Sequence, residues 1–176
     1  MTNYRRTLVA GGTFFFTVNL AIRRENNLLV REVRHFRESV GIVRARHPFQ
    51  IVAAVILPEL VHMIWRMPLD DDDFSTRWRL IKSAFSRRLV LDERRSASRL
   101  AKAERGIWQR RYWEHLIRDD NDLRRHVEYI HYNPVKHGHT QTPIEWPYSS
   151  FHRYVKHGIY PSNWAAGEDI RAWNAE

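Results

Sequence analysis

Apolar positions along this chain recur with two periods, alternation and three-to-four spacing, and the two kinds of block follow one another in turn. After a Gly11-Gly12 turn signal, residues 13–20 (Thr-Phe-Phe-Phe-Thr-Val-Asn-Leu) are aromatic and β-branched, which predicts a first strand. From Asn26 to Arg46, Leu29, Val33, Phe36, Val40 and Val43 recur at helical spacing, with Arg31, Arg34, Arg37 and Arg44 mostly off the stripe. His47-Pro48 ends that helix. Phe49 to Leu57 is apolar on both faces, as a central strand would be, and Pro58-Glu59 leads tightly into a third strand from Leu60 to Met67. The acidic run Asp70 to Asp73 precedes a helix from Phe74 to Leu89, so capping explains it better than cation binding. Residues 92–105 are polar and without period, a basic mobile loop, and Ile107 to Ile117 predicts a fourth strand. Asp119, Asp120 or Asn121 can cap a last helix with the stripe Leu123, Val127, Ile130, closed by Pro134 and Gly138.

Strand, helix, strand, strand, helix, strand and an appended helix make a split β-α-β pattern. The expected class is α+β: a ferredoxin-like fold with an antiparallel sheet. A single domain over 1–176 is expected, with the aromatic-rich segment 141–176 wrapping back across it. The length and the 43% apolar content suffice for a buried core. With no cysteine, disulfides, zinc fingers and thiol catalysis are excluded. The N-terminus lacks a signal-peptide core, and the apolar run from Phe14 to Leu20 is too short to span a bilayer. A cytoplasmic location without membrane association follows as the expectation.

Charge adds a partner. Lys and Arg total 29 against 20 Asp and Glu, a balance of +9 before ten histidines are counted. Such an excess points to a polyanion, nucleic acid first and an acidic membrane surface second. Most of it is arginine interleaved with aromatics, which favours nucleic acid over a basic surface that binds nothing specific. Tyr4, Arg5 and Arg6 form a basic N-terminal arm able to enter a groove. Arg77, Arg79 and Lys82 stud the second long helix, and Arg110 and Arg111 alternate with aromatics in the 108–113 segment (Trp-Gln-Arg-Arg-Tyr-Trp).

The candidate chemistry lies in two places. Tyr129 and Asn133 stand four residues apart, so one helical face presents a phenol and a carboxamide together. Taken alone, this helix favours a tyrosine that merely packs at a boundary. His62 lies in an apolar strand, pointing away from Val61, Met63 and Trp65, the set expected to face the helical layer. A lone strand histidine is more often structural than a ligand. A metal there would want a second imidazole two residues away, where position 60 holds leucine. A tyrosine hydroxyl, with a pKa near ~10, needs activation before it attacks phosphorus, and a divalent cation can supply it. A carboxamide suits Mg²⁺ or Mn²⁺, and imidazole tolerates Mn²⁺ better.

Several separated segments carry a family resemblance. Residues 4–6 (Tyr-Arg-Arg) and 11–19 (Gly-Gly-Thr-Phe-Phe-Phe-Thr-Val-Asn) are followed by 73–79 (Asp-Phe-Ser-Thr-Arg-Trp-Arg) and 108–115 (Trp-Gln-Arg-Arg-Tyr-Trp-Glu-His). Residues 129–138 (Tyr-Ile-His-Tyr-Asn-Pro-Val-Lys-His-Gly), 146–152 and 160–164 complete the set. In this order they resemble REP-associated tyrosine transposases, within the single-tyrosine HUH transposases acting on single-stranded DNA. The resemblance implies a catalytic tyrosine at Tyr129, a helix-borne amide ligand at Asn133, and the second metal histidine at His62. It implies a Mg²⁺ or Mn²⁺ cofactor, a 5′-phosphotyrosine intermediate, and hairpin DNA with single-stranded flanks as partner. The first metal histidine falls on Leu60, so weakened metal binding is expected, with His115 as a possible accessory ligand. A hairpin-binding protein that has lost cleavage is the alternative. Monomer and homodimer both stay open.

Overall fold

The computed structural model describes residues 8–90, 97–101 and 105–165. Four strands, β1 (Thr13–Asn19), β2 (Gln50–Ile56), β3 (Leu60–Arg66) and β4 (Trp113–Leu116), form an antiparallel sheet in the order β2-β3-β1-β4. The helices are α1 (Leu28–Arg31), α2 (Val33–Arg46), α3 (Phe74–Arg87), α4 (Ala97–Ala101), α5 (Asp120–Lys136) and α6 (Phe151–Lys156), with a 3-10 turn at Pro143–Glu145. A split β-α-β arrangement with β1 and β3 central is the ferredoxin-like order that the alternating blocks implied.

Strand alternation divides the core in two. Phe14, Phe16, Val61, Met63 and Trp65 point to one face and meet Phe36 and Val40 of α2 and Phe74, Trp78, Ile81 and Phe85 of α3. Phe15, Leu60 and Ile64 point to the other, where Val127, Tyr129 and Ile130 of α5 cover them. The second face is therefore closed, and His62, expected on an open side, is buried at 4% exposure. The polar residues of α5 hid this. Asp122, His126 and Asn133 are buried with its apolar stripe.

Three elements differ from expectation. The helix predicted from Asn26 breaks at Glu32 into α1 and α2. The fourth strand is short, since before Trp113 only an isolated bridge at Trp108 pairs with Leu20. α5 runs through Pro134 to Lys136 before Gly138, at φ +71, ends the turn as only glycine does readily. Pro134 has no amide hydrogen to give the Ile130 carbonyl four residues back, so that bond of the last turn is missing. Asp73 and Asp119 cap α3 and α5 by accepting from the amides of Thr76 and Asp122.

The C-terminal segment packs back on β2: the Ile56 amide donates to the Tyr148 carbonyl, and Trp146 Nε1 to the Ile56 carbonyl. The arm at Tyr4, Arg5 and Arg6, most of 92–105, and everything after 165 lie outside the described residues. Among the described residues, no helix is long and apolar enough to cross a membrane.

Candidate active site

The site forms where α5 crosses β1 and β3. Thr17 stands opposite His62 and Asn19 opposite Leu60. Thr17 Oγ1 lies 3.0 Å from His62 Nδ1, which leaves Nε2 as the ring nitrogen available to a ligand. Burial, joined by the charges of His137 and Lys136, pushes His62 down to about 3, so the ring is neutral at physiological pH. A neutral imidazole is the form that binds metal.

From above, α5 brings Tyr129 against this pair. Its ring centroid lies 5.3 Å from that of His62 and 6.0 Å from that of Phe15. Lys136 Nζ sits 4.9 Å from the centre of the Tyr129 ring, where its charge can attract that of a phenoxide. Tyr129 is only 7% exposed, more enclosed than the half-sheltered place expected from its position beside the stripe. A cavity of about 370 Å³ opens here, lined by Thr17, Asn19, Leu60, His62, Tyr129 and His137 among others.

Asn133, one turn beyond Tyr129 and one before His137, is fully buried. Neither its Oδ1 nor its Nδ2 has a hydrogen-bond partner. Leaving a buried amide unpaired costs about 1–3 kcal/mol per group. An orphaned amide oxygen one turn along α5 from Tyr129, whose ring lies against the neutral His62 imidazole, makes with that imidazole a donor set of the kind that fits Mg²⁺ or Mn²⁺.

His115 does not reach this pair. It faces Phe15 across β1, one cross-strand row and two strands from His62. Its Nε2 donates to Asp122 Oδ2 at 2.9 Å, and His126 Nδ1 donates to the Asp122 carbonyl at 2.8 Å. The Arg118 amide donates to the same carboxylate, and these bonds, offsetting burial, hold Asp122 down to about 2. The imidazoles of His115 and His126 stack at 4.7 Å, and His126 packs on Phe15 at 4.9 Å. The donor atoms of this trio lie within 4.8 Å of one another, spacing that could hold a metal. Here they tie the start of α5 to β4, and so seat the helix that carries Tyr129.

No family model matches the chain. The REP-associated tyrosine transposase of Escherichia coli K12 is 46% identical over 165 residues, spanning 94% of this chain and 92% of that protein. A Haemophilus influenzae protein named for the same family is 44% identical over 172 residues, 97% of each chain. A solved structure of a REP-associated tyrosine transposase bound to a REP hairpin is similar at a TM-score of 0.80 and 44% identity, covering 97% of this chain and 99% of that one. The chain belongs to the REP-associated tyrosine transposase family.

On this REP-associated tyrosine transposase scaffold, the basic residues picked from sequence separate by burial. Arg77, expected on the nucleic-acid surface, is 3% exposed and engaged inside the fold. Its guanidinium donates to both Asp71 oxygens at 3.0 and 2.7 Å and to the carbonyls of His47, Pro48 and Asp73. No donor remains for a phosphate, so Arg77 is corrected to a structural residue. Arg79, Lys82 and Arg110 instead line a cleft of about 700 Å³ between α3 and residues 105–112, together with Arg87, Arg105 and Tyr112. Lys82 Nζ donates to the Gln109 carbonyl at 2.7 Å, and Arg110 to Ser98 Oγ at 2.9 Å. Arg111 is exposed beside the cleft.

Sequence reasoning missed Asn19, Thr17, Lys136 and His137. Two signals were there to be used: Thr17 and Asn19 share the Phe15 face by alternation, and His137 continues the four-residue spacing of Tyr129 and Asn133.

Proposed function

We propose that this chain binds hairpin DNA and cleaves and rejoins its single-stranded flank through Tyr129. The observation that carries the reading is the meeting of Tyr129 and neutral His62 at one cavity, with the orphaned Asn133 carboxamide one helical turn from Tyr129 on α5. The Tyr129 oxygen attacks the scissile phosphorus as its proton leaves. The bond from phosphorus to the 3′ oxygen breaks, that oxygen takes up a proton, and the 5′ side stays linked to Tyr129 as a phosphotyrosine. Reversal by another 3′ hydroxyl rejoins the strand. His62 and Asn133 would hold a Mg²⁺ or Mn²⁺ ion, which supplies charge neutralisation at a non-bridging phosphate oxygen. Lys136 adds a protein cation beside Tyr129, and Arg23 lines the same cavity.

The basic cleft of Arg79, Lys82 and Arg110, with exposed Arg111 beside it, is the surface offered to the DNA backbone. Tyr112 supplies an aromatic face there. Hairpin DNA as the partner follows the similar structure solved with a REP hairpin.

A labelled REP hairpin with single-stranded flanks, incubated with Mn²⁺ and run on a denaturing gel, tests the reading. The native chain yields a covalent adduct and Tyr129→Phe yields none. Cleavage by DNA-bound Tyr129→Phe would sink the assignment. One observation favours a second reading, a hairpin-binding protein without cleavage: Leu60 occupies the first metal-histidine position and packs in the apolar cluster. Tight, metal-independent binding with no adduct, restored by Leu60→His, is its signature.

A further inference from the structure

Leu60 removes a ligand from the cavity, yet the side chain directly across from it offers one. Asn19 and Leu60 are partners in the β1–β3 register. The Leu20 amide donates to the Glu59 carbonyl, so that adjoining pair is the hydrogen-bonded one. Asn19 and Leu60 therefore occupy the closer, non-hydrogen-bonded kind of pair, with Cα atoms about 4.5 Å apart in such sheets. Both line the same cavity as His62 and Tyr129. Asn19 Oδ1 is buried and has no hydrogen-bond partner, the condition also found at Asn133. Two orphaned carboxamide oxygens, Asn19 at the His62 cavity and Asn133 one turn along α5 from Tyr129, are unusual, because folded proteins rarely leave buried acceptors unmet.

We propose that Asn19 replaces the missing imidazole: its Oδ1 joins His62 and Asn133 in holding the divalent cation. This rests on the metal-assisted reading above. The other nearby donors are less apt. Glu59 lies in the bend before β3 and is paired with Arg23 at 3.8 Å. His115 is held by Asp122. His137 lines the cavity but stands exposed at the end of α5. One imidazole and two carboxamide oxygens make a harder donor set than two imidazoles and one amide, and so favour Mg²⁺ and Mn²⁺ over softer ions.

Mn²⁺ titration of the full chain, followed by electron paramagnetic resonance and calorimetry without DNA, tests the assignment. Asn19→Ala weakens Mn²⁺ binding about tenfold or more, since even residues that only support ligands cost that much. Asn19→Asp tightens it, because a carboxylate adds charge at the same place. Circular dichroism and hairpin binding in EDTA stay native for both, which separates lost ligation from lost fold. Asn19→Asp also keeps the test alive if the alanine variant folds poorly. Native affinity in Asn19→Ala together with loss in His62→Ala overturns the Asn19 role while leaving the metal site standing. Loss in His137→Ala but not in Asn19→Ala moves the third donor to His137 and overturns the proposal as well. Absence of Mn²⁺ binding in every chain, Leu60→His included, removes the metal reading itself.

Discussion

Arg77→Ala and Arg79→Ala change the same residue type two positions apart on one helix, and the structure gives them opposite consequences. Arg77 makes five hydrogen bonds at 2.7–3.2 Å, two to Asp71 and three to backbone carbonyls that cap and splice neighbouring segments. Removing one partner of a buried ion pair costs about 3–5 kcal/mol, because the other charge stays buried. The Asp71 side chain is 35% exposed and rehydrates, so the loss belongs near the low end, about 3 kcal/mol. With a urea m-value of about 2 kcal/mol/M, the unfolding midpoint falls by about 1.5 M. Arg79 is exposed on the cleft, so its removal changes stability by under about 0.5 kcal/mol. It weakens hairpin binding instead and takes about 0.7–0.9 from the salt slope for the phosphate it no longer meets. Urea melts followed by circular dichroism, paired with salt-dependent anisotropy on a labelled hairpin, read both effects. An Arg77→Ala chain that keeps its midpoint and loses DNA affinity would overturn the burial argument.

Three other expectations follow. Hairpin affinity of the native chain falls steeply with salt, by a log–log slope of about −0.7 per phosphate neutralised on single strands, and a flat profile contradicts the basic cleft as the DNA surface. Buried His131 is held down to about 3 in the fold against an ordinary 6.5, so the unfolded chain binds the extra proton between these values. Stability from that group is complete above pH 6.5 and declines by up to about 1.4 kcal/mol per unit as pH falls toward 3, and a His131→Asn chain with an equally steep acid limb refutes it. Asp122, lowered to about 2 by its bonds to His115 and Arg118 despite burial, adds stability above pH 3.8 that is lost as pH falls through 2. Asp122→Asn therefore melts lower than the native chain at pH 7, and the difference narrows near pH 2.

The two sheet faces were legible because alternation is unambiguous when both faces are filled: Val61, Met63 and Trp65 against Leu60, His62 and Ile64. Tyr129 and Asn133 were legible from spacing on one helix, and family resemblance assigned their roles. What stayed hidden was the polar interior. A polar residue reads as exposed until its partners are known, and the partners of Arg77 come from the loop at 47–48 and the cap at 71–73. Asp122 and His126 are not in the Leu123, Val127, Ile130 stripe that the sequence marks, and both are buried, with Asp122 bonded to His115 of β4. Asn19 fell within the predicted first strand with no role attached, and only its register with Leu60 gives it significance.

Position 60 can pack or ligate, and here it packs. Leu60 is 3% exposed among Ile64, Val127 and Ile130, which places α5 and the tyrosine it carries. Exchanging it for histidine forfeits about 1.5–3 kcal/mol of apolar burial and also desolvates an imidazole. Leu60→His in EDTA therefore melts lower by about 6 °C, taking about 2 kcal/mol and about 3 °C per kcal/mol for a chain of this size. Mn²⁺ works the other way, since a ligand held only by the folded state adds about 2.7 kcal/mol at a hundredfold excess over its Kd. Melting curves with and without Mn²⁺ give the comparison: the Mn²⁺-induced rise is larger for Leu60→His than for the native chain, and it brings the variant back to the native melting temperature. Equal rises in both chains would mean that the histidine does not reach the ion.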